Sequence, residues 1–225
     1  MFLWRKGRKT DMINKKILPI LLSFLLIIFV SGCGEETDNS KLKEDKITGT
    51  HHATITVEKF GEIEIELYGD KAPITVKNFM DLANDGFYDG LTFHRIIENF
   101  MIQGGCPKGD GTGDSGQNIK GEFANNGVEN DISHVRGVIS MARGGYDNNS
   151  GSCQFFIVHQ DSPHLDGDYA AFGKVTKGMD VVDKIATETE VYGGNGEVMS
   201  YHQPVIKTIK IIDWYLPYKL TICQS

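Results

Sequence analysis

Cysteine is scarce in this sequence, with 4 in 225 residues and no CxxC pair among them. That argues against a disulfide framework and a thiolate zinc site, and makes reduced, structural thiols the expected state of Cys106, Cys153 and Cys223. Basic charge is also short, with 23 Lys and Arg against 30 Asp and Glu. A surface of that sign repels phosphate, so no nucleic acid partner is expected. The 7 histidines are scattered without HxxxH or HExxH spacing, and no metal ligands are assigned. No GxSxG turn is present and no cysteine is flanked by an evident base, so nucleophilic catalysis lacks its equipment. No cofactor is expected.

Long apolar runs are missing as well, apart from ILPILLSFLLIIFV at 17–30, directly after Lys15-Lys16. As a helix this block rises about 21 Å, short of the roughly 30 Å bilayer core. Basic residues, a short apolar segment and then small residues make the layout of a secretory signal. Val30-Ser31-Gly32-Cys33 resembles the lipobox of bacterial lipoproteins. That resemblance implies Cys33 as the mature N-terminus, carrying a diacylglyceryl group and acyl chains such as palmitate. A plain signal peptide, or an anchor helix with an incidental cysteine, is the alternative. Met12 to Cys33 already makes a compact signal, so the true start is open between Met1 and Met12.

Residues 1–32 hold six of the 23 basic and one of the 30 acidic residues, which leaves 17 against 29 and a formal charge of −12. So acidic a protein gains nothing from an anionic lipid surface, and its anchor must be the lipid itself. Two acyl chains hold stably where one does not. Residues 33–50 are polar and charged and read as a flexible tether from the lipidated cysteine. The folded domain is expected over 51–216, with a short tail at 217–225.

Within that domain Ile55 and Val57 alternate with Thr54 and Thr56, and Ile63, Ile65 and Leu67 alternate with Glu62, Glu64 and Glu66. Both runs predict strands with one buried face, joined at Gly61. From Lys71 to Asn84 the period changes to 3–4, with Val76, Phe79, Met80 and Ala83 on one face and Pro73 in the first turn. That predicts a helix, and a second short one is expected over 179–186. Short apolar runs at 92–97, 99–103, 137–142, 154–159, 170–175 and 205–213 predict further strands. Many strands and two helices point to a mainly β fold, a closed antiparallel barrel capped by the helices.

Gly111-Thr-Gly113-Asp-Ser-Gly116 spells GxGxxG, yet the following QNIKGEF has no helical apolar stripe and Asp110 and Asp114 would repel phosphate. It reads as a loop and not as a dinucleotide site. Two other segments stand out, FHRIIENFMIQGG at 93–105 and GVISMAR at 137–143, the latter running on through GSCQFFIV at 151–158. Arg95 sits among apolar residues, where an arginine is as often structural as functional. Gln103 follows Met101 on the same face of an extended chain. Periodicity alone places the pair Phe155-Phe156 in the core.

These blocks, followed by HLDGDYAAFGKV at 164–175, strongly resemble the cyclophilins in order and spacing, over roughly residues 52–213. The resemblance implies an eight-stranded antiparallel barrel closed by two helices, and peptidyl-prolyl cis/trans isomerase activity without a covalent intermediate. It implies Arg95 as the catalytic arginine and Gln103 as the residue that holds the substrate backbone. Phe100, Met101, Phe156 and Leu165 match the pocket for the proline ring, and Ala142 with the backbone of Arg143 the edge along which the peptide lies. His164 stands where well-studied eukaryotic members have tryptophan, and Tyr169 where many have histidine; weak cyclosporin binding with retained catalysis is expected. Implied partners are proline-containing unfolded or exported polypeptides, met by a monomer lipid-anchored on the extracytoplasmic face of the cell membrane. The alternative is a non-catalytic module that docks proline motifs.

Overall fold

A computed structural model describes residues 47–213. The signal segment, Cys33, most of the tether, the tail at 217–225 and Cys223 lie outside the described residues. The chain runs β1 (Thr50–Val57), β2 (Gly61–Tyr68), α1 (Pro73–Asn84), β3 (Phe93–Ile97), β4 (Met101–Gly104), β5 (Val138–Met141), β6 (Phe155–Val158), β7 (Ala170–Lys177), α2 (Met179–Glu188) and β8 (Ile206–Ile211).

The β1–β2 hairpin follows from the alternation in its sequence. Ala53, Ile55 and Val57 face Ile65, Ile63 and Gly61 in register, and the apolar set is buried while the threonines and glutamates stay outside. α1 buries Val76, Phe79, Met80 and Ala83 as its 3–4 spacing requires. Its first N–H groups are satisfied from a distance. The Glu122 carboxylate accepts from the N–H of Ile74 (3.0 Å) and of Thr75 (2.7 Å), and from the Thr75 hydroxyl (2.7 Å). A carboxylate there answers both the unpaired donors and the positive end of the helix. Phe79 then packs against Tyr88, Phe155 and Phe172 at centroid distances of 5.3 to 5.5 Å, forming the aromatic centre of the core.

All eight strands join one antiparallel sheet in the order β3-β4-β6-β5-β7-β2-β1-β8. The expectation of a closed barrel is corrected here: the sheet curls into a half-barrel, and β3 and β8 are its two edges. Between them stand a single bridge, Thr92 to Val205, and bonds from Phe93 N to Pro204 O and from Ile206 N to Leu91 O. A ladder cannot continue through Pro204, which has no N–H to give. The free edge of β3 is occupied instead by the segment around Gly196, with Ile96 N bonding Gly196 O (2.7 Å) and Val198 N bonding His94 O (3.0 Å).

The sheet is covered on both faces near β4, β5 and β6. Phe155, Ile157, Ile102 and Ile139 point into the main core. Phe156, Val158, Met101 and Val138 form a second apolar cluster on the opposite face, with Leu165 and Ala171. The Phe155-Phe156 pair, read as core by periodicity, is therefore split across the sheet, as neighbours on a strand must be. The GxGxxG segment lies in a loop and opens no helix.

Candidate functional site

The second cluster is where the sequence-predicted residues meet. A cavity of about 120 Å³ is walled by Phe100, Met101, Phe156, Leu165 and Tyr169. Arg95, Gln103, Ala142 and Arg143 form its polar side. His164 does not line it; the residue is exposed on the turn before Leu165, its ring 5.4 Å from that of Phe100. Tyr169 meets Phe156 edge-on at 5.7 Å and 85°.

Arg95 on β3 stands opposite Gln103 on β4 in the ladder. Its guanidinium donates from Nε to the Asn195 carbonyl (2.9 Å), from Nη2 to Asn195 Oδ1 (3.0 Å) and from Nη1 to Gln103 Oε1 (3.3 Å). Three of its five N–H groups are thus committed, and the other two have no partner among the described residues. Gln103 is itself oriented, since its Nε2 donates to Gln154 Oε1 (3.0 Å). Gln154 in turn donates to the carbonyls of Gly111 (2.9 Å) and Gly113 (2.8 Å). Two fixed carbonyls force the Gln154 amide nitrogen toward the loop, so every amide in the relay has one allowed direction. The relay delivers an acceptor to Arg95 and holds its plane.

Two members of this network escaped the sequence reading. Gln154 carried a signal, because it precedes Phe156 by two on the same strand face. Asn195 carried none, being 100 residues from Arg95. Gly196 beside it has φ +77, and a Cβ there would collide with the Ile96 carbonyl, so only glycine lets this loop lie on β3. Glu197 accepts from Asn195 Nδ2 (3.1 Å). Its own backbone N–H, the Asn195 amide and the nearby Arg95 hold its carboxyl below the usual range.

Arg143 contributes more than backbone. Its Nε donates to the Asp168 carbonyl (2.8 Å), and its guanidinium lies 4.9 Å from the Tyr169 ring centre and 5.3 Å from that of Phe123. The stack props Tyr169 against the cavity. Past Met141 the strand β5 loses its partner: Ala142 N still bonds Gln154 O (2.9 Å), but the N–H and carbonyl of Arg143 make no hydrogen bond among the described residues. That is an open strand edge beside the cavity, one residue long.

His94, next to Arg95, is buried with neither ring nitrogen partnered among the described residues. Burial, aided by the Arg95 charge, pushes its pKa down. Cys106 and Cys153 are buried and unbridged, and burial raises the Cys153 thiol. Among the described residues no three His, Cys, Asp or Glu side chains converge on a metal-sized point.

The chain matches known proteins over the same region. The family model for cyclophilin type peptidyl-prolyl cis-trans isomerase/CLD matches residues 52–215. A Helicobacter pylori peptidyl-prolyl cis-trans isomerase is 48% identical over 147 residues, covering 64% of this chain and 86% of its own length. Peptidyl-prolyl cis-trans isomerase B of Bacillus subtilis is 48% identical over 143 residues, 64% of this chain and 90% of that protein. Among solved structures, a Cryptosporidium parvum cyclophilin type isomerase superposes with a TM-score of 0.65 at 28% identity, covering 74% of this chain and 99% of that one. An apolar cavity flanked by an oriented arginine, in a half-barrel of this topology and with these relatives, places the chain in the cyclophilin family of peptidyl-prolyl cis-trans isomerases.

Proposed function

We propose that the chain turns Xaa-Pro bonds of exported, still unfolded polypeptides at the extracytoplasmic face of a membrane, with Arg95 as the catalytic donor. The observation that carries the catalytic part is the Arg95 guanidinium at the cavity, held by Asn195 and Gln103 and with two N–H groups to spare. One of the similar solved structures, from Cryptosporidium parvum, was determined in the presence of the dipeptide Ala-Pro. A prolyl ring is the ligand that suits the cavity here.

An Xaa-Pro amide resists rotation because its nitrogen lone pair is delocalised, with a barrier of about 18–20 kcal/mol. Halfway through the turn the lone pair returns to nitrogen, which becomes a hydrogen-bond acceptor only then. An Arg95 N–H aimed there bonds the transition state and not the ground state. Phe100, Met101, Phe156 and Leu165 grip the proline ring, and Gln103 holds the substrate backbone. The segment before proline lies along Ala142 and the open backbone of Arg143 as an added strand residue. One side of the amide stays fixed while the other swings. No covalent bond forms or breaks.

A docking module needs the cavity and the edge but not a spare donor, and Arg95 therefore favours the enzyme. Isomerisation of a short Xaa-Pro peptide by the full chain in detergent, beside Arg95→Ala, tests this. A fall of about 10²- to 10³-fold in kcat is expected for the variant, the usual loss of a transition-state donor. Tight peptide binding with no acceleration by the wild type would make this a docking module. Location rests on the signal-like segment and on Cys33. The full chain should take up labelled palmitate and sediment with membranes, while Cys33→Ala should do neither; an unlabelled wild type sinks the lipid anchor.

A further inference from the structure

Behind the proline cavity three side chains meet in the order a serine hydrolase would use. His134 points Nδ1 at the Asp166 carboxylate (2.8 Å) and Nε2 at Ser140 Oγ (3.0 Å). The backbone N–H of His134 bonds the same Asp166 oxygen at 2.7 Å. Acyl transfer is closed to this triad, because Ser140 is 0% exposed and no substrate carbonyl can approach its hydroxyl.

What the triad does reach is the cavity wall. The His134 ring lies nearly parallel to that of Phe156, with 6.0 Å between centres and 18° between planes. The other two members are tied to the walls through the chain: Asp166 follows Leu165, and Ser140 precedes Ala142 by two residues. One imidazole thus fastens β5, β6 and the turn at Pro163–Leu165 at the point where all three line the cavity.

We propose that His134 is a positioning residue for prolyl isomerisation, holding the Phe156 ring and the Leu165 turn in the arrangement that receives the substrate proline. The inference rests on the isomerase reading of this cavity. Its chemistry follows from the hydrogen bonds. Asp166 can only accept, so Nδ1 carries the proton and Nε2 is left to accept from the Ser140 hydroxyl. Protonating Nε2 would turn that contact into two donors facing each other, and the buried Ser140 hydroxyl would have to swing away.

The titratable groups that face His134 are Asp166 and His164, both on the 163–166 segment; β5 presents Ser140 and β6 the Phe156 ring. Burial pushes the imidazole pKa down, and His164 adds to this, against the upward pull of Asp166. The clamp is therefore intact at neutral pH and opens only on acidification.

The test is kcat and KM of the full chain on a short Xaa-Pro peptide between about pH 8 and pH 5, with the Phe156 ring followed by NMR. For His134→Leu a KM raised about tenfold is expected, with kcat changed less than about threefold, the signature of lost binding geometry. Its KM should no longer depend on pH, whereas the wild-type KM should climb on acidification. Asp166 is partly exposed, and its variants guard against a failure to fold. Asp166→Ala should raise KM, and Asp166→Asn, which still accepts from Nδ1, should restore it. A folded His134→Leu with wild-type KM and pH profile overturns the proposal. A wild type without isomerisation counts against the enzyme reading instead. The Phe156 ring then decides: unchanged NMR signals in His134→Leu overturn the positioning role, and altered ones uphold it.

Discussion

Arg95 and Gln103 face each other across the β3–β4 ladder, and their side chains meet with Nη1 donating to Oε1 at 3.3 Å. The strand register sets that contact, and the direction of the Gln103 amide is set in turn by Gln154. The reacting end of the site is therefore ordered before any substrate arrives.

Arg95→Lys should fail to replace arginine. A lysine is a point charge without the planar fork, and it cannot bond both Asn195 oxygens, Gln103 and a prolyl nitrogen together. A kcat loss of about a hundredfold is expected in peptide isomerisation, with thermal stability unchanged. Near-wild-type turnover would mean that charge alone suffices.

Asn195→Ala should lower kcat by about tenfold and leave KM nearly constant. It removes the bond to Nη2 but keeps the backbone carbonyl that takes Nε. Arg95 stays nearby yet loses its fixed plane. Equal changes in kcat and KM would show that Asn195 touches the substrate.

Stability should fall as pH drops below about 6.5, the unfolded histidine value. Burial pushes the pKa of His94 and of His134 below that value, so each is neutral in the fold. Between the folded and unfolded values the unfolded chain binds more protons, and stability rises with pH across that window. Urea midpoints should therefore be lower at about pH 5 than at about pH 7.5 with the slope unchanged. A flat or inverted profile refutes this assignment.

Cyclosporin should inhibit weakly. His164 lies over Phe100 but outside the cavity lining, so it offers a small exposed ring where an indole would offer a broad face and an N–H. His164→Trp should strengthen inhibition at least about tenfold while peptide turnover stays within about twofold. Equal inhibition of both proteins would place the determinant elsewhere.

The sequence was most readable where one face of an element is wet. Ile63, Ile65 and Leu67 alternate with glutamates, and the strand and its buried face follow at once. In β5 and β6 every position is buried, the alternation vanishes, and nothing local could divide Phe155 from Phe156. α1 was visible through Pro73 and its apolar spacing, but its cap, Glu122, lies 47 residues from Thr75. Likewise the arginine motif stood out while its partner Asn195 did not. Counting strands suggested a closed ring, yet a count cannot say whether the first and last strands meet; Pro204 and the loop on β3 decide that they do not. Resemblance supplied the pocket residues, and geometry then added Gln154, Asn195 and the side chain of Arg143.

The loop laid on the edge of β3 has one more consequence. A bare strand edge recruits other extended chains and seeds aggregates. A protein that handles unfolded polypeptides meets such chains constantly, and its arginine sits on that very rim. With Gly196 and Val198 spending the hydrogen bonds of Ile96 and His94, a client can reach the guanidinium without being drawn into the sheet along β3. The opening left at Arg143 is long enough to align a substrate and too short to zip one on.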